Sequence, residues 1–391
     1  MYNNIHIVRN SFSHGSRVLK ETDTLAKSGI GKVYIVAIHA EGLKEHEEID
    51  VGRAVRRLKL STKQWPKRRI IQVLKHLEFC LRVIRFARGK DIRLINVHSV
   101  DLLPLGVLLK WVLRGKLVYD AHELETENPD LAGFGRYVAK GIERALIRKA
   151  DLVIVVSKSI EEWYREKYGI TNIVTLLNCP NYQEPKRSQI LHQSLDIPKG
   201  KRILIYQGAL ARGRGIEMLL EIFAGWKNEG YVLVCMGYGE LAPMIREQAS
   251  RHGNIYLKEA VSPHAVLEYT AAADVGVSYL EDASLNSRFA LPNKFFEYIT
   301  AGLPVIVNDA PERKRVVEEA GIGVVLREMT ADSLRRALQT IEGMDKDRLR
   351  EKLMEVAMTC SWDRQAESMI EAYRRHVFQQ PLRAQVINDH H

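Results

Sequence analysis

Cysteine is scarce in this chain: Cys80, Cys179, Cys235 and Cys360 are the only four in 391 residues, and none forms a Cys-x-x-Cys pair. That spacing argues against a disulfide framework or a structural zinc site and suits a reducing compartment. Long apolar runs are also missing, none approaching the roughly 18 residues a bilayer-spanning helix needs. The first residues, Met1-Tyr2-Asn3-Asn4-Ile5-His6-Ile7-Val8, have no basic region and no long apolar core, so they predict a strand rather than a signal peptide. No short-period repeat or low-complexity segment occurs. Hydrophobic content of 46% with 27% charge reads as globular rather than disordered.

Acidic residues are in deficit. Net charge is +10 and the pI about 9.3. The deficit is sharpest over 53–90, where Glu78 is the only acid among cations from Arg53 to Lys90, interleaved with Trp65, Ile70, Val73, Leu74 and Leu77. Such a stretch suits an anionic membrane surface or a solvated helix face. Without a nucleic-acid module motif, the charge alone does not make a nucleic-acid binder.

The length allows two ordinary domains. Apolar runs alternate with helical patterns in both halves, as in parallel sheets covered by helices. Strands are expected at 5–8, 33–38, 94–97, 117–119, 152–156 and 173–177, then at 203–207, 232–236, 255–257, 275–278, 305–307 and 323–326. The predicted architecture is α/β: a Rossmann-like domain over 1–181, a linker over 182–200, a second Rossmann-like domain over 201–360, and a terminal helical segment over 361–391. In doubly wound sheets ligands bind at the carboxyl ends of the strands.

Three runs carry candidate chemistry. In Leu291-Pro292-Asn293-Lys294-Phe295-Phe296-Glu297, a loop feeds a helix N-terminus whose orphan amides can hold a diphosphate. Pro292 suits the first turn, Lys294 adds a point charge, and Glu297 can accept bonds from two ribose hydroxyls. In Gln207-Gly208-Ala209-Leu210-Ala211-Arg212-Gly213-Arg214-Gly215, glycines allow close backbone approach and arginine can grip phosphate. In Tyr119-Asp120-Ala121-His122-Glu123, a strand ends in a polar cluster. His122 can donate or accept near neutral pH, so it suits holding a hydroxyl or sensing a phosphate proton, with Asp120 and Glu123 placed to orient it or to bond local backbone amides. His98-Ser99-Val100-Asp101 ends another strand and is a weaker candidate for the acceptor side.

Together these runs resemble the retaining, nucleotide-sugar-dependent glycosyltransferases of the family-four type, glycosyl transferases group 1, which have the two-domain GT-B fold. The resemblance covers essentially the whole chain. It implies a donor site formed by Gly15, Gly208, Arg212, Gly237, Gly239, Glu240, Leu291, Pro292, Asn293 and Glu297, with His122, Arg214 and Lys294 in catalytic roles. Gly237 and Gly239 come from the turn Gly237-Tyr238-Gly239-Glu240, and Gly15 from the first loop, where Arg17 is an alternative helix-start cation. Two departures stand out. Ala209 occupies the place of the family's first cation, so Arg212 would substitute for it. Phe289 stands where the first glutamate of the Glu-x7-Glu pair belongs, eight residues before Glu297.

The resemblance further implies a sugar transferred from a nucleotide diphosphate sugar, UDP-sugar favoured, to a lipid-linked or polysaccharide acceptor, and a terminal helix crossing back to the first domain. No cofactor and no metal are expected, since none of the motif runs holds an Asp-x-Asp pair. The expected partners are the donor, the acceptor and an anionic membrane surface rather than nucleic acid. The expected location is cytoplasmic, peripheral on the inner face of the plasma membrane. A noncatalytic nucleotide-sugar-binding partner, suggested by Phe289, and an epimerase or phosphorylase on the same fold are the alternatives.

Overall fold

The computed structural model describes residues 2–378 apart from 14, 15, 67, 129, 130, 132 and 227–229. Two compact units divide the chain: Met1–Leu176 with the segment from Ala366 onward, and Leu177–Gln365.

The first unit runs β1 (Asn3–Ile7), α1 (Ser16–Lys27), β2 (Val33–Ile38), β3 (His46–Asp50), β4 (Arg53–Leu58), α2 (Arg69–Arg88), β5 (Ile92–Val97), α3 (Leu103–Leu113), β6 (Lys116–Asp120), α4 (Phe134–Leu146), β7 (Leu152–Val155), α5 (Lys158–Tyr168) and β8 (Ile173–Thr175). The sheet order is β3-β4-β2-β1-β5-β6-β7-β8, and only the β3–β4 pair is antiparallel. Central strands are buried on both faces, which is why they read as continuous apolar runs. On one face, Val18 and Leu25 of α1 pack with Met369, Tyr373 and Val377 against Ile35, Leu94, Val118 and Ile154.

The hairpin β3–β4 is absent from the sequence-based expectation, because its charged residues hide the strand pattern. Its arginines also correct the reading of 53–90 as one membrane-facing or solvated stretch. Arg53 and Arg57 are buried struts. Arg53 pairs with Asp50 and, at 3.1 Å, with Asp23. Arg57 pairs with Glu47 at 2.7 Å and donates to the Ser11 carbonyl at 3.0 Å.

The second unit contains α6 (Ile190–Ser194), β9 (Arg202–Ala209), α7 (Ile216–Gly225), β10 (Tyr231–Tyr238), α8 (Ala242–Arg251), β11 (Ile255–Glu259), α9 (Val266–Thr270), β12 (Val275–Ser278), α10 (Leu285–Phe289), α11 (Asn293–Thr300), β13 (Val305–Asn308), α12 (Pro311–Ala320), β14 (Gly323–Leu326), α13 (Ala331–Glu342) and α14 (Lys346–Thr359). Its six strands, ordered β11-β10-β9-β12-β13-β14, are all parallel. Two short helices go beyond the expected elements. Leu191 of α6 is buried in this unit's core beside Ile203 and Ile205, so the stretch expected as a linker is part of the second unit. The start of α10 is capped by Ser284, whose hydroxyl accepts from Ser287 N.

Helix α15 (Trp362–Ala372) begins in the second unit and passes into the first at Ala366. Beyond it Tyr373 donates its hydroxyl to Asn96 Oδ1 at 2.6 Å, tying the chain end to β5. Among the described residues no helix is long and apolar enough to cross a membrane.

Candidate functional site

In the second unit, the candidate donor residues gather at the carboxyl ends of β9 and β10 and the start of α11. Gly208 of β9 pairs with Gly237 of β10. A Cβ on Gly237 would overlap the Gly208 carbonyl, and its φ of +153° also demands glycine. Gly239 is equally tight against the Leu210 carbonyl. Glu240 reaches across and accepts from Arg212 N at 3.3 Å, so it pins the loop after β9. Arg212 itself is exposed and Arg214 half-buried.

Lys294 is the surprise of α11. The sequence offers it as a phosphate-facing charge, but its side chain lies inside, with Nζ 3.5 Å from the centroid of the Tyr206 ring. Nζ has no hydrogen-bond partner among the described residues. Burial, and then repulsion from Arg214, hold its pKa well below the ordinary lysine value. Arg214 hydrogen-bonds to the Tyr206 hydroxyl, which donates to the Ala209 carbonyl at 2.9 Å. Lys294 on the ring and Arg214 at its hydroxyl therefore place two basic side chains at Tyr206, with Glu297 the acid acting on Lys294. Such a pair favours an incoming anion.

Glu297, one turn beyond Lys294, is half-buried. Its Oε2 accepts from Gln207 Nε2 at 2.6 Å, and Gln207 Oε1 accepts from Thr270 Oγ1 at 2.6 Å. Gln207 N in turn donates to the Tyr298 hydroxyl at 2.9 Å. Sequence reasoning missed Gln207, although it stands directly before Gly208 at the end of an apolar strand, an odd place for a polar side chain. Pro292 is the N-cap of α11, with ψ of 147°, rather than a first-turn residue; its ring and the extended backbone set the entry of the helix. Leu291 is buried in the core, so only its backbone is available to a ligand, while Asn293 is exposed.

In the first unit, Asp120 at the end of β6 is the hub of a buried network. Arg17 Nη2 donates to its Oδ1 at 2.9 Å and Arg17 Nε to its Oδ2 at 3.3 Å. Its Oδ2 also meets His98 Nδ1 at 2.9 Å and His122 Nε2 at 2.6 Å. His98 Nε2 lies 2.9 Å from His6 Nδ1. Burial raises the Asp120 carboxyl, but Arg17 and His122 outweigh it and hold the group well below the usual carboxylate range. Burial, with His98 alongside, lowers His6, and burial lowers His98, so both rings stay neutral. The consistent proton arrangement runs His6 Nδ1–H to His98 Nε2 and His98 Nδ1–H to Asp120. His122 Nε2–H then also points to Asp120, which leaves Nδ1 of this half-buried ring as a hydrogen-bond acceptor.

Glu21 lies against the same arginine, its Oε1 2.9 Å from Arg17 Nε, yet burial and then Asp120 raise its carboxyl well above the ordinary value. The two carboxyls are thus pushed in opposite directions, Asp120 down and Glu21 up. Gly15 lies outside the described residues. Arg17, weighed as a helix-start cation, is instead the anchor of Asp120. Glu123 accepts from Asn128 Nδ2 at 2.8 Å, so Asp120 is the carboxylate that orients His122. Asp101 pairs with Arg9 rather than with His98.

Two triplets, His98–Asp120–His122 and His6–Glu21–His98, each present ligand atoms within 4.8 Å of one another. Their hydrogen bonds account for the first arrangement as it stands, and the guanidinium of Arg17 against Asp120 disfavours a second cation there.

Comparison with known proteins decides the family. Residues 16–181 match the model of glycosyltransferase family 4, and residues 187–357 match that of the glycosyl transferases group 1. The chain belongs to this glycosyltransferase family. The enzyme is 25% identical over 275 residues to the probable glycosyltransferase WbjE of Pseudomonas aeruginosa, covering 66% of this chain and 67% of that one. It is 23% identical over 289 residues to the alpha-maltose-1-phosphate synthase of Mycolicibacterium smegmatis, covering 66% and 72%. In fold it is similar to the sucrose-phosphate synthase of Thermosynechococcus elongatus, with a TM-score of 0.75, 17% identity, and 96% and 99% of the two chains covered. Anabaena HepE, solved in complex with UDP, superposes with a TM-score of 0.72 at 15% identity over 96% and 100%. The glycosyltransferase therefore has the GT-B class of fold, two Rossmann-like parallel-sheet domains.

One departure, Phe289, and one further acidic spacing gain a structural setting. Phe289 ends α10, which is tethered by the buried Arg313 donating to the Ala290 carbonyl at 2.7 Å and the Ser287 carbonyl at 3.3 Å. The one Asp-x-Asp spacing that does occur, Asp345-Lys346-Asp347, serves as a helix cap. Asp345 accepts from Asp347 N and Arg348 N, both at 3.0 Å.

Proposed function

We propose that this glycosyltransferase is a retaining enzyme that moves a sugar from a nucleotide diphosphate sugar, with UDP-sugar favoured, to a hydroxyl of a lipid-linked or polysaccharide acceptor in cell-surface glycan synthesis. The observation that carries the reading is the pair of basic side chains at Tyr206: Lys294 Nζ, buried on the ring without a hydrogen-bond partner, and Arg214 in the loop after β9. A diphosphate supplies the negative charge that this pair lacks. Glu297, held by Gln207, takes the ribose hydroxyls, and the amides at the start of α11 assist with phosphate.

In the reaction, the bond from the anomeric carbon to the diphosphate oxygen breaks and a bond to the acceptor oxygen forms on the same face. The acceptor proton passes to a phosphate oxygen of the leaving group. Arg214 and Lys294 stabilise the charge that develops on the diphosphate, with Arg212 in support. His122 Nδ1 accepts a hydrogen bond from a hydroxyl of the transferred sugar, and Asp120 holds the ring for that task. No step draws on the carboxylate that Phe289 replaces, and the reading needs neither metal nor cofactor. The enzyme works in the cytoplasm, peripherally on the inner face of the plasma membrane.

Thermal unfolding with UDP, GDP and ADP and their sugars tests the donor site. A nucleotide at 100 times its dissociation constant adds about 2.7 kcal/mol, a rise of about 3 °C for a chain of this size. The rise should occur with one nucleotide and vanish in Arg214→Ala and Glu297→Ala. Absence of any rise would overturn the assignment of this site.

A further inference from the structure

The basic stretch of the sequence divides in three dimensions, and what remains exposed joins two other helices. From β4 to β5, β5 to β6 and β6 to β7 the chain advances across the sheet in one direction. Right-handed crossovers therefore lay α2, α3 and α4 side by side on one face of the first unit. Helix α3 packs against both of its neighbours. Each helix turns some apolar residues inward, such as Phe79, Val83 and Leu109, but each also presents large apolar residues to solvent.

On α2 these are Ile70, Leu77 and Leu81, on α3 Trp111, and on α4 Phe134 and Tyr137. Four of them, Ile70, Trp111, Phe134 and Tyr137, are 77–78% exposed. Most large exposed apolar residues of the second unit, such as Tyr238 and Met244, are scattered singly, whereas these form a layer. Among the described residues of the three helices, the exposed charges have one sign. Arg85, Arg88, Arg114 and Arg144 are exposed, while the only acids on the three helices are Glu78, half-buried and bound to Thr62 and Arg82, and Glu143, fully buried among tyrosines. An apolar protein partner would not require three helices without exposed acids. An anionic lipid surface would, since arginines pair with phosphate while Trp, Tyr and Phe settle at the headgroup level.

We infer that the α2–α3–α4 face of the first unit is the membrane-docking surface, and that its occupant is an anionic bilayer. The inference rests on the membrane-associated part of the proposed function and names the surface responsible. Binding here would hold the enzyme at the lipid plane, where a lipid-linked acceptor is presented.

Co-sedimentation of the full chain with phosphatidylcholine vesicles, and with vesicles part phosphatidylglycerol, tests it. The protein should bind the second kind alone, and release as salt approaches about 1 M, where the Debye length is about 3 Å. The double variant Arg85→Glu/Arg88→Glu should weaken partition by more than about tenfold, each cation contributing about fivefold. Trp111→Ser/Phe134→Ser should weaken it about tenfold or more, through lost apolar area. No binding of the wild type to anionic vesicles at low salt would overturn the inference, as would equal binding to both lipids. A stable dimer in light scattering that the Trp111→Ser/Phe134→Ser variant dissociates would also overturn it, in favour of self-association. All these residues are exposed, so melting temperatures should not move. The nucleotide-induced rise, measured on the same samples, reports on the donor site separately.

Discussion

His122 and Asp120 are two residues apart and share a hydrogen bond of 2.6 Å, Nε2 to Oδ2, while Arg17 holds the same carboxylate from the other side. The half-buried ring is thus clamped by a buried ion pair. His122→Ala removes only the ring, so kcat should fall by about 10²-fold or more while the melting temperature and the nucleotide-induced rise stay unchanged. Asp120→Asn should do more. It leaves the buried Arg17 without its charge partner, at a cost of roughly 3–5 kcal/mol of stability. Steady-state kinetics beside calorimetry separates the two effects, and equal destabilisation by both variants would refute the clamp.

Lys294 predicts a trade between stability and binding. Its pKa is lowered by burial, so the folded apo enzyme is penalised at every pH below the ordinary lysine value. Lys294→Met should raise the melting temperature without ligand and weaken nucleotide binding. When a diphosphate arrives, the ammonium form is favoured and a proton is taken up. Titration calorimetry in buffers of different ionisation enthalpy should show that uptake in the wild type and not in Lys294→Met. Buffer-independent heats in both would count against proton uptake at Lys294.

The glycine contact between β9 and β10 should be intolerant of a methyl. In Gly237→Ala the new Cβ runs into the Gly208 carbonyl, so the backbone must shift at the end of β9. Nucleotide affinity should drop by about tenfold or more, with stability lower by about 1–3 kcal/mol. Gly253, where a Cβ would meet nothing, is the matched control. If Gly253→Ala and Gly237→Ala bind nucleotide alike, the close approach has no functional weight.

Glu125, just beyond His122, supplies a pH signature. Burial, partly offset by the bond from Val100 N and reinforced by Glu143, raises its carboxyl to about 8. A raised carboxyl is favourable below its unfolded value near 4.5 and loses that advantage as pH rises through about 8. Glu125→Gln keeps the acceptor and removes the titration. Relative to the variant, the wild type should therefore lose stability between pH 5 and 8, by more than about 1 kcal/mol. Parallel denaturation curves across that range would exclude the raised value.

The elements and the family were legible in the sequence because their signals are local. Apolar runs bounded by turns gave most of the strands. The run from Leu291 to Glu297 gave helix α11, and the run into His122 gave the end of β6, each within one stretch of chain. Tertiary structure alone decided the partners. Gln207 meets Glu297 across 90 residues and Arg17 meets Asp120 across 103, because strand order, not spacing, brings those ends together. The fate of each cation was equally hidden. Arg53 and Arg57 sit inside a hairpin, Lys294 is drawn under Tyr206, and Arg85 and Arg88 stay in solvent, since charge is written in the sequence but burial is set by the packing around it.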